Sequence, residues 1–524
     1  MKPHLPAGMK LFVPIVAAIA IVAAIALGAV GCEGFEEKYA TGAGYRLSFS
    51  ADTLSFDTLF SDVASTTRAL MVYNDYDRAL DITSIRLEAA GQSGFRINAD
   101  GRKGSYFQHI SLRPRDSLYI LVEVTPPPNG SSLPQLLSDR LIFVLNGQSQ
   151  SVRLEACGQD VTFLRGGTIF HADTTLLAER PYVVYDSVVV AAGATLRLAP
   201  GLTFHMHDRA SLVVHGTLLA EGTAQAPVTL RGDRLDYVLD TVLRYDSEPA
   251  QWGGITFHST SGHNILRHTL IRNSSWGLAF LSSPSTTDTQ TDARTDAQAG
   301  TQTDAQADTQ ADAQADTPVD EQRRLTLSHC QLTNTDGNLL EADNWRMDIS
   351  DTELTNASGT VVRLSGGEYR FVHCTLANHF LFGRNDTASY VLCLSNKEAG
   401  LSVTFDNCLI DGSRSAGYEF SFQQTDGIPF DYHFSYCVIK AEPDSTSSSH
   451  QSDCIFISES PLYRKRGRAE DKYTFDFRLD TLSAPGIGKA NPDLSALYPV
   501  DRYGVSRLQG GNAPSIGAYE FDKK

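Results

Sequence analysis

His329, Asp351 and His373 recur at a fixed interval of 22 residues. Two imidazoles and a carboxylate in register are the groups from which acid–base couples and metal sites are made. They are the candidate catalytic residues. A second set, His205, His207 and Asp208, alternates so that both histidines leave one face of an extended strand, where they would bind a metal or stand in solvent. The chemistry of either set depends on the elements that carry it.

Those elements repeat. Ser328-His329-Cys330-Gln331-Leu332-Thr333-Asn334 returns as Ser350-Asp351-Thr352-Glu353-Leu354-Thr355-Asn356, and again as Val372-His373-Cys374-Thr375-Leu376-Ala377-Asn378. Shorter echoes stand at Leu266–Asn273, Phe405–Ile410 and Phe434–Ile439. A short-strand repeat of this length predicts a stacked β-solenoid. From Asn273 to Asn334 is 61 residues, one period plus 39. The excess is a tract of Thr, Asp, Gln and Ala over 285–322, too poor in apolar side chains to order, and expected to be a disordered insert in one turn.

Parity places the candidate histidines. Tyr369 and Phe371 share one phase of an alternating strand, and Cys374 and Leu376 share the other. Both pairs point inward only if the chain bends between them, because a one-residue slip reverses every side chain. The bend position holds His268, His329, Asp351, His373, Asn407 and Tyr436. Asn, Asp and His tolerate left-handed backbone better than other non-glycine residues. Backbone geometry therefore accounts for the column without catalysis. Cys330, Cys374, Cys408 and Cys437 follow the bend and are expected to stack inside as small apolar residues, with no zinc-type spacing among them.

Ahead of the repeat, residues 48–160 alternate in short runs (Arg68–Tyr73, Leu80–Ile85, Ser117–Val124, Arg140–Leu145, Ser151–Leu154) that predict an antiparallel β-sandwich. The expected class is all-β, a sandwich followed by a parallel β-helix over 161–284 and 323–524. Hydrophobic content of 42% and charged content of 20% suit globular domains of this kind. A net charge of −17 argues against a nucleic-acid partner, which would need a basic face.

The N-terminus carries an address. Lys2 and Lys10 precede an apolar run from Leu11 to Val30, the order of an export signal, in a run also long enough to be a plain transmembrane anchor. Ala29-Val30-Gly31-Cys32 resembles the lipobox of bacterial lipoproteins, with Ala29 where leucine is usual. The resemblance implies a signal peptide over 1–31, a lipid on Cys32 that anchors the chain in a membrane, and a linker over 32–47. Glu33, Glu36 and Glu37 resemble signals that send some such lipoproteins to the cell surface, which makes this an expected outer-membrane, surface-facing protein.

Two further resemblances bear on fold. Asn74-Asp75-Tyr76, Leu80-Asp81-Ile82, Phe95-Arg96-Ile97 and Val124-Thr125-Pro126-Pro127 look like immunoglobulin-like domains of bacterial surface and ciliary (hydin-type) proteins, which imply a spacer or interaction module. Val188–Gly201, Leu212–Leu218 and Trp252–Phe257, with Tyr503–Arg507 and Pro514–Phe521 at the close, resemble right-handed parallel β-helix proteins of the pectate-lyase-like superfamily. That superfamily mixes lyases, hydrolases and adhesins. Asn334-Thr335-Asp336 fits one polygalacturonase motif, but paired aspartates, G-H-G and R-x-K are missing from the sequence. The reading favoured is a non-enzymatic surface lipoprotein that presents its β-helix to a polysaccharide or a host or surface protein. The alternative is a polysaccharide lyase or glycoside hydrolase acting on an acidic polysaccharide. No cofactor is expected, although Asp-rich turns would suit a calcium ion. Trp252, Trp276 and Trp345 are candidates for stacking on sugars, with Trp252 read as structural, and Arg464–Arg468 reads as a solvated basic loop.

Overall fold

The computed structural model describes residues 39–239, 243–282, 323–384, 389–397, 399–415, 418–442, 448–508 and 513–522. The export segment, Cys32 and the 285–322 tract lie outside them. The described residues form an all-β protein of two compact units. The first comprises Ala64–Pro126, Leu136–Ala156 and the described part of Met1–Phe56; the second comprises Asp57–Val63, Pro127–Gln135 and the described part of Cys157–Lys524.

The first unit is the expected antiparallel sandwich. One sheet runs in the order Ser48–Phe49, Arg68–Tyr73, Ser117–Val124, Phe95–Ala99, Arg102–Gly104. The other sheet runs Thr53–Phe60, Gln148–Gln159, Gln135–Leu145, Leu80–Leu87, Tyr106–Leu112. Alternate residues of Arg68–Tyr73 and Ser117–Val124 are buried, as a half-covered sheet requires. Phe49 meets Phe143 at 4.9 Å and Phe56 meets Phe95 at 6.0 Å, which joins the two inner faces. Leu80–Leu87 breaks its own alternation at Ser84 and Ile85, where a bulge opposite Gln135–Leu145 shifts the register.

The second unit is a parallel β-helix. Successive turns give their strands to three parallel sheets of eleven, nine and ten strands. The in-phase register builds vertical columns. Val188, Leu212, Ile255, Leu278, Leu340, Val362, Leu392 and Phe420 are successive partners in the nine-stranded sheet. Seven of the eight are fully buried, with Phe420 packed at the core's edge. Phe371, Phe405 and Phe434 stack at 4.7 and 5.0 Å in the ten-stranded sheet. This ladder of like residues lets each strand satisfy its backbone through the next rung while its apolar face leaves water.

The bend predicted from parity is present. His268, His329, Asp351, His373, Asn407 and Tyr436 have φ of 45, 57, 48, 51, 53 and 50°. The next residues inward, Cys330, Cys374, Cys408 and Cys437, are fully buried in the core. Burial pushes the Cys330 thiol up to about 12 and the Cys408 thiol well above its ordinary value, as expected of sulfur in apolar surroundings. The period across the 285–322 tract also holds: Leu270 pairs with Gln331, Ile271 with Leu332 and Arg272 with Thr333, so the flanking turns are adjacent rungs.

The described parts of the closing segment, 490–508 and 513–522, do not continue the coil. They lie on the outer face of the eleven-stranded sheet, with Gly517 N donating to Asn407 O at 2.9 Å and Ala518 N to Thr375 Oγ1 at 3.0 Å. A hairpin of Tyr463–Arg466 and Phe475–Leu479 packs on the same face through Tyr463, Phe477 and Leu479, against Ala377, Leu409 and Val438. Part of the basic run expected as a solvated loop, Arg464–Arg466, is therefore strand.

Candidate functional site

Two outward columns of the eleven-stranded sheet carry polar side chains side by side. One runs His205, Arg231, then Arg272, Thr333, Thr355; the other runs Leu270, Gln331, Glu353, Thr375. Between the hairpin and the turn Tyr245–Ser247 these columns floor a groove of about 190 Å³. Arg272, Thr333, Glu353 and Asp246 line it on the floor and one wall, and Tyr473 and Phe475 line it from the hairpin.

The turn that supplies Asp246 is tied to the coil by the repeat's own closing asparagines. Asn273 Nδ2 donates to the carbonyls of Asp246 at 2.9 Å and Glu248 at 2.7 Å, and Asn334 Nδ2 to that of Ser247 at 2.9 Å. Asn273, Asn334 and Asn356 have φ of 68, 63 and 60°, so the residue type that marks the period also turns the corner. Asp246 is thereby held between two guanidiniums: Arg231 Nη2 at 3.0 Å from Oδ1, and Arg272 Nη1 at 3.1 Å from Oδ2.

Glu353 is buried at the groove floor, where Gln331 Nε2 donates to its carboxylate at 2.8 Å and Thr355 Oγ1 at 3.0 Å. The Tyr519 hydroxyl donates a third hydrogen bond, and itself accepts from Arg502 Nη1 at 3.1 Å. Burial, together with the carboxylate it touches, pushes the Tyr519 phenol well above its ordinary value, so it remains a donor. Both carboxylates in the groove are thus already engaged. A glycosidase needs one of a facing pair to hold a transferable proton and the other to meet water or the sugar. The features left to a ligand are the solvent-facing part of Arg272, the Thr333 side chain and the hairpin's aromatic rings. These are the polar and stacking elements of a saccharide or polar-ligand subsite.

The candidates read from the sequence are placed elsewhere. His329 Nε2 lies 3.9 Å from Asp351 Oδ2, so these two are brought together. Asp351 Oδ1 accepts from Arg507 Nη2 at 2.9 Å. His373 turns instead to Ser495 Oγ at 2.8 Å and Asn407 Nδ2 at 3.1 Å. The closing segment buries Asp351 and His373 completely. Burial lowers His329 to about 4, aided by His268 and Arg507, and lowers His373 well below its ordinary value. It raises Asp351 to about 6 against the pull of Arg507.

His205 points outward as expected but is buried, not solvated, and burial with Arg231 beside it lowers it to about 3. His207 pairs through Nδ1 with Asp233 at 2.6 Å, not with Asp208, which occupies a left-handed turn at φ 47°. Among the described residues no three His, Cys, Asp or Glu side chains converge in a way that could hold a metal ion. Trp252 and Trp345 are core residues, and the Trp252 indole donates to Arg272 O at 2.8 Å. Trp276 is 38% exposed.

No family model matches this chain, and no curated protein matches it. Among solved structures, a family 123 glycoside hydrolase from Clostridium perfringens aligns at 6% identity over 21% of this chain and 25% of its own, with a TM-score of 0.16. The PapD-like domain 7 of human CEP192 aligns at 9% identity over 25% of this chain and 95% of its own, also at 0.16. The match spans about a quarter of the hydrolase chain, and at such scores neither likeness bears on activity.

Proposed function

We propose that this is an exported lipoprotein, anchored through Cys32 at the outer membrane and facing the cell surface, whose β-helix binds a glycan in the groove of Arg272, Asn334 and Phe475. One observation supports binding over turnover: Asp246 sits between two arginines and Glu353 accepts three hydrogen bonds, while the donors and rings around them face an open groove. Recognition by fixed donors and aromatic faces needs no proton transfer, and the groove floor belongs to stacked rungs. The sandwich serves as the spacer between anchor and binding surface.

The experiment is calorimetric titration of the soluble chain with a panel of acidic and neutral polysaccharides, alongside absorbance of unsaturated products. Binding without product is expected. Arg272→Ala should weaken binding roughly tenfold or more, equivalent to about 1.4 kcal/mol, without altering the unfolding midpoint greatly. Cleavage of any polymer would transfer the reading to the lyase or hydrolase alternative, which the two carboxylates and the arginines of the same groove would have to carry. Anchoring is tested separately. Cells fed labelled palmitate should incorporate it into the full-length protein, and Cys32→Ala should abolish that label.

A further inference from the structure

The bend-side thiols form more than an apolar stack at the C-terminal end of the coil. Cys437 is fully buried; its sulfur accepts from Cys408 N at 3.4 Å, and its carbonyl accepts at 2.8 Å from the N–H of Ile455, the residue after Cys454. Cys454 is half-buried, which makes its sulfur the one member of that trio within reach of a reagent from solvent. The two lie directly before register partners: Val438 pairs with Ile455 and Ile439 with Phe456. Side chains so placed on neighbouring parallel strands have Cα atoms about 4.8 Å apart, inside the roughly 4.4–6.8 Å span of disulfides. The strands that follow them, Val438–Ile439 and Ile455–Phe456, are two residues each, so the last rung is paired over a short stretch.

We propose that Cys437 and Cys454 are a redox pair that closes as a cross-rung disulfide and clamps the final turn of the β-helix. The reaction is thiol–disulfide exchange with a disulfide oxidant, either a thiol oxidoreductase or oxidised glutathione. The Cys454 sulfur attacks one sulfur of the oxidant, forming a mixed disulfide and releasing one thiol. The Cys437 sulfur then displaces the second thiol from Cys454. Two electrons pass from the pair to the oxidant, whose S–S bond becomes two S–H groups. Cys374 and Cys408 remain reduced because no oxidant reaches them through the closed core. An exported chain would meet such oxidants in its own compartment.

The test is peptide mapping of the folded protein after equilibration with oxidised glutathione, with free thiols alkylated on denaturation. Expected is a linked peptide pair containing Cys437 and Cys454, lighter by two hydrogens, and two fewer alkylated thiols among the seven cysteines beyond Cys32. Oxidised protein should melt several degrees above reduced protein. Cys454→Ser should abolish both the link and that difference, and Cys393→Ser should leave both intact. Seven alkylated thiols, or a link joining any other pair, would overturn the proposal.

Discussion

Arg507→Leu should cost the solenoid on the order of 3–5 kcal/mol, read as a lower denaturant midpoint for its unfolding transition. The Arg507 side chain is fully buried and donates at 2.9 Å to Asp351, at 3.2 Å to Gly517 O and at 3.4 Å to Ser515 O, with Glu520 at 3.8 Å. Leucine fills part of the volume but leaves Asp351, itself 1% exposed, without its cation. The cost arises from that orphaned carboxylate more than from the lost contact, and a second substitution separates the two. Asp351→Asn keeps a residue type that accepts the observed φ of 48° and removes the charge. The double variant should therefore recover more than half of what the single variant loses. A loss that is merely additive would show that the pair is not coupled. The substitution also reaches the groove. Arg507 holds the segment that supplies Tyr519 and Arg502 to Glu353, so glycan binding should weaken along with stability.

What was legible in the sequence divides along a physical line. Contacts between neighbouring rungs repeat the same side chains at the same interval, so a periodic pattern records them. The 22-residue spacing, the inward cysteines, the left-handed bend at His329 and His373, and the closure of the coil across residues 285–322 all came from that pattern. The sandwich was legible where alternation was clean, as in Arg68–Tyr73. It was less legible at Thr53–Phe60, whose alternation of buried side chains is interrupted over Asp57–Leu59 before Phe60.

The groove is aperiodic. Asp246 comes from a turn, Tyr473 and Phe475 from a hairpin, and Tyr519 from the closing segment, and only the fold brings them to Arg272 and Glu353. The asparagines were visible as the mark of a repeat. Their second use, reaching from Asn334 to a carbonyl 87 residues back, was not. In the same way nothing in the bend column itself records that His373 is covered by chain 122 residues further on.

That covered column makes the protein acid-labile in a defined window. His329 is lowered to about 4, His205 to about 3 and His373 well below its ordinary value, each chiefly by burial. Between pH 6.5 and 4 the unfolded chain takes up protons that the native state refuses. Stability therefore falls as pH falls through that window, by up to about 1.4 kcal/mol per pH unit for each histidine. Asp351 acts in the opposite sense. Its folded value of about 6 lies above the ordinary 3.8, so the stability it contributes is present at low pH and lost as pH rises through 6. Glu248 and Asp406, raised by burial, act with Asp351, while His268, lowered by burial and by Arg502, acts with the other three histidines; four histidines against three carboxylates leave the sum favouring unfolding on acidification. Carboxylates lowered by their partners, such as Asp160 and Asp476, respond only below this window and leave its slope to the histidines. His329→Asn isolates one of them, because asparagine occupies the same column at position 407 with φ 53° and does not titrate. Denaturant unfolding at half-unit steps from pH 7.5 to 4 should show the slope for the variant reduced by close to one proton. An unchanged slope would mean that His329 titrates alike in the folded and unfolded chain, and that the closing segment does not exclude water from the bend column.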